Sequence, residues 1–343
     1  MKLGQVTIKD IAKALNISSS TVSRALKDYP GISEETKSRV KALAKEMNYR
    51  PNAVALSLRK SKSHTIGVII PEVVHFFFST VISGIEEVAY ANGYNVILCQ
   101  TNEKVEREIS SVDTIISNQI DGLLVSYSKE TTDFSHFQKL IDYDYPVVFF
   151  DRAPELGDVV NVTVNDFSGA YQAVQHLISQ GYREILHLAG PKNLLISKNR
   201  KEGYQAALKD AGLEIREDRI IECPLGTPEE SEEICLKLFS DPNERPDAVF
   251  SSNDIAALGA LKAIKSLGLE VPKDVGVVGF SNWQFASMID PPLSTVSQPG
   301  FQMGEKAAQL LLEMIDQKEA KPTQGKEVVL ETELIVRGSS QRK

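Results

Sequence analysis

Thr7–Leu26 reads TIKDIAKALNISSSTVSRAL, and the spacing of its residues decides how the chain begins to fold. Thr7 stands three residues before Asp10, the arrangement of a capping box at a helix start. Apolar residues then recur at Ile8, Ile11, Ala12 and Leu15, which is one face of a helix. Asn16 tolerates the left-handed conformation that ends a helix and turns the chain. Ser18 can cap a second helix, whose apolar positions Val22, Ala25 and Leu26 point back at the first. Small Ala12 and β-branched Val22 stand where two steeply crossed helices must touch. Ser19, Ser20, Ser23 and Arg24 are left on the outer face, as in a helix that reads a DNA major groove. The bland alternative is an ordinary helical hairpin inside a larger domain.

Charge sharpens the reading. Residues 1 to 62 hold 13 Lys and Arg against 5 Asp and Glu, a net of +8. The whole chain is −8, so the remainder carries −16. A basic head on an acidic body seeks a polyanion with the head alone, and nucleic acid is the expected partner.

Beyond the two-helix motif, Ser33 with Glu34 and Glu35 opens a third helix by capping and dipole complementarity. Its apolar face is Val40, Leu43, Ala44 and Met47, and Pro51 predicts a stop near Tyr49. The next segment, PNAVALSLRKSKS, is short, alanine-rich and flanked by basic residues. It reads as a linker that becomes helical only when held, because helices this short are marginal in water.

From Thr65 onward the pattern alternates strands and helices. Apolar β-branched runs stand at Ile66–Ile70, Val96–Cys99, Gly122–Val125, Val147–Phe150, Val160–Val164, Ile185–Leu188, Ala248–Phe250 and Val275–Phe280. Amphipathic stretches such as Ser79–Ala91 and Asp254–Leu267 lie between them. Continuous apolar strands separated by helices predict parallel sheets covered on both faces. So many units exceed one sheet, so two doubly wound lobes are expected, with a ligand crevice at the strands' carboxyl ends. The segment from Asp151 to Asn161 is the expected crossover between lobes, and a barrel is the competing architecture.

With 343 residues the chain exceeds the size at which single cores stop growing, so more than one domain is expected. Cys99, Cys223 and Cys235 are widely spaced, with no metal-ligand pattern, and read as small hydrophobes of a reducing compartment. The N-terminus lacks an apolar signal core and no apolar run approaches ~18 residues, which predicts a cytoplasmic chain that does not span a membrane. The tail from Arg337 to Lys343 is short and polar, without heptads.

The run from Val6 to Pro71, VTIKDIAKALNISSSTVSRALKDYPGISEETKSRVKALAKEMNYRPNAVALSLRKSKSHTIGVIIP, resembles the lactose/galactose repressor family of bacterial transcription regulators. The likeness continues through VILCQTNEK, VVFFDR, HLISQGYREILHLAGP, SSNDIAALGALKAIKSLG, VPKDVGVVGF and PPLSTVSQPG to ELIVRGSS, essentially the full chain. It implies an all-α helix-turn-helix head at 1–50, a hinge helix or linker at 51–63, and a ligand-binding and dimerisation domain at 64–343. That domain is an α/β, two-lobed, doubly wound core like the type I periplasmic sugar-binding proteins. The resemblance further implies a homodimer that reads a palindromic double-stranded DNA operator, with one head per half-site.

By position in the family motif, Ser19, Ser20 and Arg24 read bases, arginine by forking onto guanine. Thr7, Ser18 and Ser23 hold phosphates, although Ser18 reads equally well as a pure helix cap. Asn52, in NYRPN, joins the DNA contacts. Leu58, seven residues after Pro51, matches the leucine that wedges into the minor groove, while Leu56 departs from the family pattern and competes for that role or packs hinge against hinge.

The family's ligand-facing positions correspond to His75, Phe77, Phe78, Asp151, Arg200, Asn253, Ser281 and Gln298. Carboxylate, guanidinium and amides around an aromatic platform suit a sugar or sugar derivative. Ser281 replaces the family's usual aspartate, which removes a bidentate acceptor; Trp283 can replace it as a stacking surface or simply pack. Gly226, where an aromatic is common, predicts a roomier crevice. Arg200 reads otherwise as a surface arginine, Asn253 as a helix cap and His75 as lobe packing. No cofactor, metal or catalytic motif is expected, since GxSxG, P-loop, HExxH and paired cysteines are all missing. The expected activity is ligand-responsive repression of carbohydrate-use genes. The alternatives are a regulator dependent on a purine-type or phosphosugar corepressor and, more remotely, a transport-type sugar-binding protein.

Overall fold

The computed structural model describes residues 6–49, 62–157, 159–316 and 325–342, and the chain divides into two compact units between Ser63 and His64. Asn52, Leu56 and Leu58 lie outside the described residues.

The first unit is three helices, α1 (Ile8–Leu15), α2 (Ser19–Leu26) and α3 (Glu34–Glu46). Ile11, Ala12, Val22, Ala25, Val40 and Ala44 form its core, so Ala12 and Val22 are both buried. Each helix is closed in the same way. Asn16, Asp28 and Asn48 adopt φ of 53°, 53° and 49°, and the residue after each donates to a carbonyl five positions back. These are Schellman motifs. Helix α3 therefore ends at Glu46 because Asn48 turns the chain, three residues before the stop that Pro51 predicts near Tyr49.

The second unit holds two six-stranded sheets. The first contains β1 (Thr65–Ile70), β2 (Asn95–Gln100), β3 (Gly122–Val125), β4 (Val147–Phe150), β5 (Val160–Val164) and β11 (Glu327–Leu330), in the order β11-β5-β4-β3-β1-β2. The second contains β6 (Ile185–Ala189), β7 (Ile220–Glu222), β8 (Ala248–Ser251), β9 (Gly276–Phe280), β10 (Ser294–Ser297) and β12 (Glu333–Ile335), in the order β12-β10-β9-β8-β6-β7. All pairings are parallel except that of β10 with β12.

Helices α4 (Phe76–Ala91), α5 (Val105–Ser117), α6 (Ser135–Asp142) and α11 (Gly300–Asp316) cover the first sheet. Helices α7 (Asp166–Ser179), α8 (Leu195–Asp210), α9 (Pro228–Phe239) and α10 (Asp254–Ser266) cover the second. Alternation along β1 shows why both faces need cover: Ile66, Val68 and Ile70 join α4 and α11, while Ile69 joins α5 and α6. Helix α4 starts at Phe76, three residues before the periodicity predicted, because Phe77 and Phe78 already belong to its buried face.

Two expectations are corrected, and the tail's place is added. Strand β5 pairs with β4 in the first sheet, so the chain leaves the first lobe at Asn165 and not between Asp151 and Asn161. It returns at Gln298–Pro299 and crosses again at Glu331–Thr332. Strand β2 is an edge whose residues are exposed or half-buried, so it is not covered on both faces. The polar tail is woven into the second lobe: Ser339 and Ser340 are fully buried, and Ser339 Oγ donates to the Val277 carbonyl at 2.6 Å. Among the described residues no helix is long and apolar enough to cross a membrane.

Candidate functional site

In the first unit, Ser18 caps α2 by accepting from the Thr21 backbone N–H at 3.0 Å, and its hydroxyl also meets Ser20 Oγ at 2.7 Å. Ser18, Ser19, Ser20 and Arg24 are exposed, and Ser23 is half-buried. The Arg24 guanidinium rests 5.7 Å from the centroid of the Tyr29 ring. Thr7 is engaged locally, since its backbone N–H and hydroxyl both donate to Asp10 Oδ2, at 2.8 and 2.7 Å. Those bonds hold the Asp10 carboxyl below its ordinary value.

In the second unit, His75, Phe77, Phe78, Asp151, Arg200, Asn253, Ser281, Trp283 and Gln298 all line one crevice between the two sheets' helices and loops. They are spread from His75 to Gln298 along the chain but follow the carboxyl ends of β1, β4, β6, β8, β9 and β10. In parallel sheets those ends point to one side, so side chains just beyond them converge.

Asp151 is buried in a left-handed backbone conformation, φ 61°, and accepts from Ser126 Oγ at 3.3 Å. Burial pushes its carboxyl up to about 6. Arg200 is no surface arginine. Its Nε and Nη2 both lie 2.7 Å from Asp166 Oδ1, its Nη1 donates to the Ser252 carbonyl at 2.6 Å, and it stacks 3.8 Å from the Phe280 centroid. Asn253 is a cap and a lining residue at once: Oδ1 accepts from the Ala256 N–H at 2.7 Å, while Nδ2 lies beside Gly226. A Cβ on Gly226, which has φ 65°, would stand 2.8 Å from that amide nitrogen.

Ser281 and Asn282 both have positive φ, 107° and 50°, a strained pair held by its surroundings. Ser281 Oγ donates to Gln298 Oε1 at 2.9 Å, and Arg337 Nη2 donates to Asn282 Oδ1 at 2.9 Å. Gln298 Nε2 is buried without a hydrogen-bond partner among the described residues, a donor left over at the crevice wall. His75 stands at the N-terminus of α4, exposed, with Nε2 3.1 Å from Glu72 Oε2.

Phe77 and Phe78 sit mostly in the first lobe's core, 9% and 5% exposed, whereas Phe76 on the same turn keeps a half-exposed ring in the crevice. Sequence reading passed over Phe76, because a run of three phenylalanines does not say which ring faces out. It also passed over Asp254, which follows the Asn253 cap and is pushed up to about 7 by burial. Glu103 and Arg152 were missed as well. They form a two-pronged pair, both contacts 2.8 Å, and although burial alone would raise Glu103, the guanidinium outweighs it and holds the carboxyl low. Among the described residues no group of three or more His, Cys, Asp or Glu could hold a metal ion.

Comparison with known proteins accords with both units. Residues 7–52 match the family described as bacterial regulatory proteins, lacI family, and residues 63–332 match the periplasmic binding proteins and sugar binding domain of LacI family. The chain is 33% identical over 333 residues to the HTH-type transcriptional repressor PurR of Mannheimia succiniciproducens, covering 97% of this chain and 98% of the relative. It is 34% identical over 334 residues to the HTH-type transcriptional repressor CytR of Escherichia coli, covering 97% and 96%. Among solved structures, the lac repressor dimer bound to operator and the anti-inducer ONPF is similar at a TM-score of 0.83 and 25% identity, over 98% of this chain and 99% of that one. The complex of the regulator CelR with cellobiose is similar at a TM-score of 0.74 and 27% identity, over 97% and 99%.

Proposed function

This chain belongs to the lacI family of bacterial regulatory proteins, and from that premise we propose that it represses transcription in the cytoplasm, as a homodimer on a palindromic operator, under control of a neutral sugar-like effector in the crevice. One observation carries the effector reading: side chains from six strand ends meet around a single crevice, and both of its arginines are already paired with carboxylates. Arg152 is taken by Glu103, Arg200 by Asp166, and Lys129 Nζ donates to the Pro224 carbonyl at 3.0 Å. A phosphosugar would bring charge that neither lining arginine is free to meet, and buried Asp151 would oppose it. Hydroxyls on a ring suit the amides, Ser281 and Asp151, while Phe76 and Trp283 offer flat apolar faces.

A purine-type corepressor is the second reading, favoured by those same two aromatic faces and by the repressors PurR and CytR among the relatives. The homodimer is supported by an apolar edge on the first lobe, where Ile97 and Leu98 of β2, Tyr90 of α4 and Ile109 and Ile116 of α5 are exposed. Within the head, Ser19, Ser20 and Arg24 of α2 read bases, and Ser18, Ser23 and Thr7 position the helix on phosphates. The chain is a regulator and not an enzyme: the crevice residues serve to bind.

The deciding experiment selects operator DNA from a random pool, then measures affinity with sugars, phosphosugars and purines. A neutral sugar that alters binding is the expected result, its sign separating inducer from corepressor action. A phosphosugar acting alone would overturn the effector reading, and failure to select any palindrome would overturn the whole.

A further inference from the structure

Helix α8 carries Arg200 into the crevice, but its first turn reaches past the crevice and into the opposite lobe. Leu194, the residue that opens α8, is only 2% exposed, and it is buried in the first lobe's cluster with Tyr127, Phe137, Phe149 and Val159. Ile196 packs against the same cluster beside Leu156. Polar contacts ring this insertion. Asn193 Nδ2 donates to the Lys129 carbonyl at 2.6 Å, Lys129 Nζ returns to the Pro224 carbonyl at 3.0 Å, and Lys198 pairs with Glu155 at 3.3 Å.

The receiving side is built to hold its shape. Buried Glu108 accepts from the Ser128 N–H at 2.6 Å and from Thr131 Oγ1 at 2.8 Å, and it lies 2.9 Å from His136 Nε2. The Lys129 N–H donates to Glu103, which Arg152 clamps. The loop that receives Leu194 is thus fixed from beneath, and the lobes cannot part without drawing an apolar side chain out of a core.

We propose that Leu194 is an inter-lobe plug that holds the crevice shut, so that its withdrawal, coupled to Arg200 on the same helix, gates ligand exchange. Ligand contacts near Arg200 and seating of the plug then bias the same rigid element, which is the physical condition for coupling. Truncating the plug should shift the closed-to-open ratio roughly tenfold or more toward open, from the apolar area lost.

Hydrogen exchange followed by mass spectrometry on the full chain tests this without knowledge of the effector. In Leu194→Ala, exchange should rise several-fold in the first-lobe segments 126–131 and 151–157 as well as in 191–197, with β3 and β8 unchanged. Leu194→Met, which conserves volume, should stay near the parent. Should Leu194→Ala fail to fold, Asn193→Ala and Lys198→Ala, both at exposed positions, should raise the same first-lobe segments to a smaller extent. Faster exchange confined to 191–197, with the first lobe unmoved, would overturn the proposal.

Discussion

The Asp254 carboxylate accepts the Trp283 backbone N–H at 2.5 Å while its other oxygen accepts Thr295 Oγ1 at 2.6 Å. One buried acid at the head of α10 therefore holds the strained Ser281–Trp283 turn against β10. The Trp283 ring owes its place in the crevice to a residue on another element.

This acid should make stability depend on pH. In the folded chain it keeps its proton up to about 7, against 3.8 as the ordinary value, so the folded state binds more proton than the unfolded state between those limits. Stability contributed by this group therefore rises as pH falls, by about 1 kcal/mol between pH 8 and 6.5. Asp151 adds the same sign below about 6, while buried His187, held down to about 4, opposes both below its ordinary 6.5. Urea unfolding of the parent and of Asp254→Asn at pH 8, 7.3 and 6.5 checks this. The slope should vanish in the variant, and an equal slope in both would refute the assignment.

Arg200 and Asp166 form a buried pair, their side chains 8% and 2% exposed. Arg200→Ala strands a buried carboxylate and should cost about 3–5 kcal/mol. Adding Asp166→Asn should recover part of that loss, because the stranded charge is gone. A denaturation series on the four proteins of this double-mutant cycle reads both numbers.

Arg24→Ala should erase about 1–3 kcal/mol of discrimination between selected and scrambled DNA and leave effector binding intact. Competition binding measures it. Parent affinity should also fall steeply with salt, since residues 1–62, of net charge +8, release counterions on docking; a flat response would mean that another surface meets the DNA.

Helices α4 and α11 touch backbone to backbone. A Cβ on Gly84 would lie 2.1 Å from the Phe301 carbonyl oxygen, and one on Gly304 would lie 2.0 Å from that of Val81. Gly84→Ala and Gly304→Ala should each destabilise the second unit by about 2–3 kcal/mol, as overpacking against atoms that cannot rotate away. Thermal unfolding of each variant tests it, and a neutral Gly84→Ala would mean that the helices separate at little cost.

Much of this molecule was legible in order. The capping and turn residues Thr7, Asn16 and Ser18 act on neighbours within a few positions, so their spacing alone placed α1 and α2. Strands β3, β4 and β5 match the apolar runs at both ends, and for β3 and β4 the residues that bound them, Asp121 and Ser126, Pro146 and Asp151, mark those ends. The ligand-facing residues came from family resemblance; no spacing rule joins His75 to Gln298.

What the sequence determined by itself was therefore local: helix and strand identity, caps, the segregation of charge onto the head, and, through resemblance, the family. The tertiary structure alone decided which lobe owns β5 and α11, which of three adjacent phenylalanines turns its ring outward, that Arg200 is paired with Asp166, and that Leu194 lies in the opposite lobe's core. The physical reason is one of range. Backbone propensity and periodicity act over a turn or two of chain, whereas burial, ion pairing and plug seating depend on surfaces that meet only when segments remote in sequence pack together.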